Sequence, residues 1–579
     1  MTVFSKFNGL SGSKIIYNKL LEHNVKDAFL YSGGAIMGLI DQFYQGPINY
    51  YVNSHEQNSG HCATGYARSS NRTGVVITTS GPGLTNCVTP MLDAQNDSTP
   101  VIFISGQVPI NAMGSDAFQE CNAIAITKPI TKWSHCVQNV LELPNVMDKA
   151  FKIANSGKKG VVHIDLPKCV AHDIFDSIKA DDVKTMIHPS VEYKLCSDST
   201  VDMHEIARII NSSKRPVFYV GQGCNQYPEL LHDAVILGNI PVTTTIHAMG
   251  VFPETHELSL KFLGMHGNPA ANYSIQNADT IIALGSRFDD RTTGNIKYYA
   301  PKCKNIIHVN IEQYELNKVI KAHHPVNMDC GKFLRKLLPL LEYRSRNEWL
   351  NTIQQWKLSM PLNFKRDGRL STEEVITAIN RHIQHDKTII TTGVGNHQML
   401  TAQYITWTKP NSFISSGALG TMGFGLPAAI GVKIANPDKT VIDIDGDSSF
   451  LMTMSDLKTV AEHNLDIKIV VINNSAQAMA TTWEKLFYGG RLTASLNLKN
   501  PSFTSVANAF HIHSLHCDTL NTLDWTISKM LKHKGPILCE FKVHNSPVLP
   551  MVSPGKALDD LILYSDERYK VTDDSVTPC

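Results

Sequence analysis

The sequence of 579 residues has no C-x-x-C pair among its twelve cysteines. That excludes zinc ribbons and argues against a secreted disulfide framework. No apolar run reaches about 18–20 residues, so no membrane-spanning segment is expected. Charge of neither sign is in excess: 53 Lys and Arg face 52 Asp and Glu, for a net charge of +1. With no basic face and no acidic tail, a nucleic-acid partner is not expected, and small-molecule chemistry is. Low-complexity segments and short repeats are missing as well. Met1–Leu10 has neither an apolar signal core nor the Arg-rich, acid-poor character of an organelle transit peptide. Together with the thiols, this start points to the cytoplasm.

What is present is βαβ arithmetic, on a length that fits about three domains. Short β-branched runs alternate with amphipathic helical stretches. In the first third the strands are Asp27–Tyr31, Val75–Thr79, Val101–Ser105 and Val161–Asp165, with an extended run at Ile48–Val52. In the middle third they are Pro216–Val220, Thr280–Leu284 and Asn305–Asn310. The last third holds Thr388–Thr392, Ser412–Ser415, Thr440–Asp445, Lys468–Asn473 and Pro536–Val543. Apolar runs that end in Gly, Ser or Pro are what buried parallel strands require. The fold class is therefore α/β: three open parallel-sheet domains, placed at 1–185, 195–345 and 370–579. The polar stretches Ile174–Thr200 and Tyr343–Arg369 read as linkers. The first and last thirds could be copies of one fold.

The strongest chemical signal ends the strand Thr440–Asp445. There Gly446 allows a tight approach and Asp447 sits at the carboxyl edge of the sheet, where α/β folds bind ligands. Asn473-Asn474 follows at the end of another strand, with Asn474 placed 27 residues after Asp447. Neighbouring strand ends would bring a carboxylate and an amide oxygen together. A hard divalent cation such as Mg²⁺ takes such oxygens and completes its shell with phosphate and water.

Gly446-Asp447-Ser448 with Asn473-Asn474 resembles the diphosphate and metal motif of thiamine-diphosphate enzymes. Further stretches resemble the acetolactate synthase (acetohydroxyacid synthase) catalytic-subunit family. They are Ser80–Gly83, Gly106–Pro109, Asp116–Glu120, Leu263–Gly267, Arg287–Arg291, Gly420–Gly423 and Val548–Val552. The resemblance runs from about Gly33 to Leu561 in the family's order. It implies thiamine diphosphate, Mg²⁺ and FAD as cofactors and a Rossmann-like middle domain. The implied reaction decarboxylates pyruvate and transfers the two-carbon hydroxyethyl unit to a second 2-keto acid, in branched-chain amino-acid biosynthesis.

Site roles follow from the same resemblance. Glu56 would hydrogen-bond the aminopyrimidine ring and favour the tautomer that takes a proton at short range. Met422 would prop the cofactor in its folded form. Gly393, Asn396, His397, Gly420, Gly446 and Ser448 would surround the diphosphate. Asp447, Asn474 and the carbonyl of Ala476 would hold the metal. Arg291 would grip the second keto acid's carboxylate, Trp483 would wall its alkyl group, and Gln107 would lie near the cofactors. His266, Arg287, Lys128 and Asn310 would contact FAD. Glu56 and Asp447 meet across a subunit interface in this family. The chain is thus expected to be a homodimer or homotetramer, with room for a regulatory subunit.

Several positions depart from the family's pattern. Lys128 stands for Arg, Gln138 for Lys and Asn310 for an acid. Asn396 replaces Gln with a shorter reach, and Ser32 stands where Pro is usual. Ala476 and Ala478 replace Glu and Gly, and an Ala at 478 would be strained if the backbone there needed positive φ. The rival readings are another thiamine-diphosphate decarboxylase or oxidase, or a catalytically silent homologue. Related decarboxylases protonate with a His pair in the first domain, but the only His-His here is His323-His324, and Gly114–Phe118 has no histidine.

Overall fold

The apolar β-branched runs form the buried strands of three six-stranded sheets, each parallel throughout. The computed structural model describes residues 5–179 and 201–566. The first sheet contains β1 (Asp27–Leu30), β2 (Asn49–Val52), β3 (Gly74–Thr78), β4 (Val101–Gln107), β5 (Trp133–Cys136) and β6 (Val161–Pro167). The second contains β7 (Pro216–Val220), β8 (Val242–Thr244), β9 (Ser259–Phe262), β10 (Thr280–Leu284), β11 (Asn305–Asn310) and β12 (His324–Asn327). The third contains β13 (Thr388–Thr392), β14 (Phe413–Ile414), β15 (Thr440–Gly446), β16 (Ile467–Asn473), β17 (His513–Cys517) and β18 (Ile537–Lys542).

The first sheet runs β2-β1-β3-β4-β6-β5 and the third runs β14-β13-β15-β16-β18-β17. These are one strand order used twice, so the two outer thirds are copies of one fold. The middle sheet runs β12-β11-β10-β7-β8-β9, which is the doubly wound dinucleotide-binding order. Five strands carry no clear sequence signal. Four of them, β5, β9, β12 and β17, are sheet edges. Paired on one side only, an edge strand needs no continuous apolar run. The fifth, β8, has three residues.

The stretch 343–369, read from its polarity as a linker, contains a helix at Asn347–Ser359. Trp349, Ile353 and Trp356 fall at helical spacing and pack on the middle domain. The Trp349 indole N–H donates to the Pro216 carbonyl at 3.2 Å. Of the other expected linker, residues 180–200 lie outside the described residues. After the third sheet the chain returns to the middle domain. Met551–Val552 pairs antiparallel with Leu561–Ile562, and Val552 and Leu558 join the core around Tyr219 and Leu263.

The first and third domains share one apolar cluster, in which Tyr66 and Met91 meet Phe424 and Ile430. Its centre is the crossing of helices Glu56–Ser70 and Gly425–Ala435. A Cβ on Gly65 would stand 2.3 Å from the Ala428 carbonyl oxygen, and one on Gly431 would stand 1.8 Å from that of Cys62. The two backbones touch, so Gly431→Ala must push the domains apart. We expect it to cost about 1–3 kcal/mol, read as a lower denaturant midpoint. An unchanged midpoint would contradict this packing.

Candidate active site

Parallel strands deliver their carboxyl ends to one edge, and a reversal of strand order opens a crevice there. In the third domain β13 and β15 flank that crevice, and in the middle domain β7 and β10 do. The two crevices face a common cavity of about 780 Å³. Among the expected residues, Asn396, His397, Gly420, Met422, Gly446, Asp447, Ser448, Asn474 and Ala476 line it from the third domain. His266, Arg287, Arg291 and Asn310 line it from the middle domain.

Asp447 begins the helix Asp447–Thr453 directly after β15. Its carboxylate accepts from the Ser448 N–H at 2.8 Å and from the Asn500 amide at 2.5 Å. Burial pushes its acid up, with those amide donors opposing. Asn474 lies at the end of β16, its side-chain oxygen accepting from the Ala476 N–H at 3.2 Å. Asn473 turns the other way, donating to Glu540 at 2.7 Å. A buried carboxylate and an amide oxygen, with the backbone of Ala476 lining the same cavity, make an oxygen donor set suited to a hard divalent cation. Among the described residues no cluster of three or more His, Cys, Asp or Glu offers a rival metal centre.

Gly446 has φ of −83°, so its backbone needs no glycine. Space requires it: a Cβ would lie 2.7 Å from His397 Nδ1. Gly393 is walled in the same way, with Asp445 Oδ1 at 1.9 Å from an added Cβ. Asn396 uses its amide to donate to Thr482 Oγ1 at 3.1 Å and to the Ser546 carbonyl at 3.2 Å. The shorter side chain is thereby tied to the helix Ala478–Phe487. Ala478 opens that helix and is not in the left-handed region, so the strain feared there is absent. The left-handed residue is Ser475, at φ 57°. Met479 and Trp483, four apart on this helix, both line the cavity.

Arg291 is largely exposed, 3.7 Å from Met265 Sδ and 3.7 Å from Asp290. His266 is buried, and burial, with Arg291 nearby, pushes its ring down to about 4. Arg287 donates to the Asn96 carbonyl at 3.2 Å. Asn310 donates to the Ser286 carbonyl at 3.1 Å and accepts from the Glu312 N–H at 2.9 Å, so its side chain stabilises the loops after β10 and β11. A Cβ on Gly221 would meet the Gly285 carbonyl oxygen at 2.3 Å.

The expected residues of the first domain are not in this wall. Glu56 opens its helix and accepts from Asn86 at 3.0 Å, Gln107 is committed to the Cys121 carbonyl and Asp165, and Lys128 is exposed. None of the three lines the cavity within one chain. The structure also brings in residues that no local motif marks. Asp456 accepts from the Ser54 N–H at 2.7 Å and from Asn53 at 2.9 Å, anchoring the turn before Glu56 to the third domain. Asn500 links Asp447 to Asn473, at 3.0 Å from the latter. Their partners lie too far away in sequence to show as spacing.

Three domain descriptions match the chain: the thiamine pyrophosphate enzyme N-terminal TPP binding domain at residues 10–126, the central domain at 203–337 and the C-terminal TPP binding domain at 393–541. Fold and site thus define a thiamine-diphosphate enzyme, and thiamine diphosphate is its cofactor. Similar proteins narrow the class. The mitochondrial acetolactate synthase catalytic subunit of Aspergillus candidus is 41% identical over 97% of this chain and 85% of its own. That of Saccharomyces cerevisiae is 40% identical over 97% and 85%. Acetolactate synthase 1, chloroplastic, of Zea mays is 39% identical over 96% and 89%. The chain belongs to the acetolactate synthase catalytic-subunit family. Among the described residues, no helix is long and apolar enough to cross a membrane.

Proposed function

We propose that this protein is an acetolactate synthase, joining the two-carbon unit left when pyruvate loses CO₂ to a second 2-keto acid. One observation carries the reading: the oxygen donors Asp447, Asn474 and Ala476 share a cavity with Met422, Trp483 and Arg291. Thiamine diphosphate, when bound, supplies the electron sink for decarboxylation. Asp447, Asn474 and the Ala476 carbonyl hold Mg²⁺, which neutralises the diphosphate cradled by Gly393, Asn396, His397, Gly420, Gly446 and Ser448. Met422 supports the cofactor. Arg291 binds the acceptor's carboxylate, and Trp483 packs against its alkyl chain. FAD occupies the middle-domain crevice beside His266, Arg287 and Asn310, a reading supported by the tight Gly221–Gly285 approach and the dinucleotide strand order.

Glu56 and Gln107 come from a second copy, as does Lys128 at the FAD side. Their absence from the cavity of one chain supports a site shared across a dimer, alone or within a tetramer. A regulatory subunit would bind outside this shared site. The relatives' names place them in mitochondria and chloroplasts; cell fractionation decides between those compartments and the cytoplasm for this protein.

Incubation with pyruvate, thiamine diphosphate and Mg²⁺ tests the reaction, with acetolactate as the expected product. Acetaldehyde or acetyl phosphate would favour the decarboxylase or oxidase, and no turnover the silent homologue. His323 weighs against decarboxylation, because its Nδ1 accepts from the Ile306 N–H at 3.0 Å in the middle domain.

The shared site makes its own prediction. Glu56→Gln and Asp447→Ala should each be inactive alone. Co-expressed in equal amounts they should recover about a quarter of wild-type activity, since half of randomly paired dimers then carry one intact site of two. No recovery would place both groups in a single-chain site.

Trp483→Leu should reduce the preference for 2-ketobutyrate over pyruvate as acceptor by roughly 5- to 100-fold while leaving acetolactate formation largely intact. Competition between the two acids, scored by product, measures it. An unchanged ratio would return the indole to the apolar core.

A further inference from the structure

The loop between β14 and the helix Gly425–Ala435 carries Gly420 and Met422 into the cavity. Its backbone is not self-supporting: Gly420 and Gly423 have φ of 74° and 84°, a region with little intrinsic preference to hold one shape. Most of what holds it comes from another domain. The Ser416 hydroxyl donates to Asp93 Oδ1 at 2.5 Å, and the Thr421 hydroxyl donates to the same oxygen at 3.2 Å. The Gly417 and Ala418 N–H groups donate to the two oxygens of Asp97, each at 3.0 Å. Ser416 Oγ also accepts from the Gly420 and Thr421 N–H groups, at 3.1 and 2.9 Å, closing the loop into a ring.

Asp93 and Asp97 stand four apart at the end of the first-domain helix Val88–Asn96. A carboxylate there faces the negative end of the helix dipole, so local structure disfavours both. The loop's donors and one cation offset that cost. Arg68 donates to the Ser415 carbonyl at 2.6 Å and lies 3.7 Å from Asp97. Its other nitrogen donates to His247 Nδ1 at 2.6 Å. That leaves the ring proton of this middle-domain histidine on Nε2, 3.1 Å from Asp97. Gly417 is glycine for the same reason: a Cβ would stand 2.2 Å from His247 Nε2. Burial would raise both acids. His247 and Arg68 nevertheless hold Asp97 well below the carboxylate range, while burial and the charge of Asp97 push Asp93 up to about 7. His61, the other group facing Asp93, at 3.9 Å, is pushed down to about 3 by burial and is neutral.

We propose that Asp93 and Asp97 are positioning residues for the reaction: carboxylates of the first domain that shape the Ser416–Met422 loop of the same chain. A second copy lends Glu56, and the chain's own first domain sets the loop that faces it. The inference rests on the cofactor-supporting role of Met422, and its test separates the two.

Amide hydrogen exchange on the cofactor-free protein reads the clamp without activity. Asp93→Ala and Ser416→Ala should speed exchange across 416–422 by about tenfold or more, with the helix Gly425–Ala435 still protected. Asp93→Asn keeps the accepting oxygen and should leave exchange near wild type. In the loaded enzyme, Asp93→Ala and Ser416→Ala should lower kcat by about tenfold, with KM for pyruvate little changed. Asp93→Asn should restore it. In a Met422→Ala background the Asp93→Ala effect should disappear, because both act through one side chain. Three results would overturn the clamp: unchanged loop exchange, helix and loop deprotected together, or an opened loop with wild-type kcat. Should Met422→Ala alone leave kcat unchanged, the role given to Met422 fails, while the exchange data still judge the clamp.

Discussion

Gly65 and Gly431 let two helices from different domains cross with their backbones in contact. That crossing sets the position of nearly everything else. The first helix begins at Glu56 and, near its end, carries Arg68, which reaches Ser415. The second begins just after the loop that holds Met422. With only glycine at the two points of contact, the helices have little freedom to slide, and dense packing transmits position well. The crossing therefore registers the first domain's carboxylates against the third domain's loop.

Polar groups buried between domains take over from that contact. Asp456 receives the turn that leads into Glu56, and Asp93 and Asp97 receive the Ser416–Met422 loop. Each carboxylate is buried and would be costly alone, and each is met by several N–H or O–H donors. Inside the third domain β15 differs, for its two buried acids leave an oxygen each, Asp443 Oδ2 and Asp445 Oδ2, without a hydrogen bond. Asp443 and Asp445 lie two apart on one face, fully buried. Asp443 is raised by burial and by Asp445, while the Thr391 hydroxyl bonds it at 3.0 Å. Gly393 lets the backbone lie directly against Asp445, where a Cβ would stand 1.9 Å from Oδ1.

Departures from the family pattern resolve differently once their surroundings are known. Ala478 sits in an ordinary helical position, so the loss of glycine there costs no strain. Asn396 spends its amide on Thr482 and Ser546, which fixes the helix bearing Trp483. Asn310 is used by its own neighbours and offers no charge to the middle crevice. Of these three, the change at 310 most alters what a ligand would meet.

The placement of Asp447 and Asn474 at neighbouring strand ends was legible in the sequence because it is local. Gly446-Asp447 and Asn473-Asn474 close buried apolar runs, and such runs must be parallel strands whose ends share an edge. The same locality made most central strands readable and hid four of the six edges, β5, β9, β12 and β17, which are paired on one side only. The helix 347–359 was masked by polar neighbours, although Trp349, Ile353 and Trp356 kept its period. Strand order and the contacts made by Asp93, Asp97, Asp456 and Asn500 were decided only by tertiary structure. Each depends on partners tens to hundreds of residues away, and only the packed domains bring them within hydrogen-bond reach.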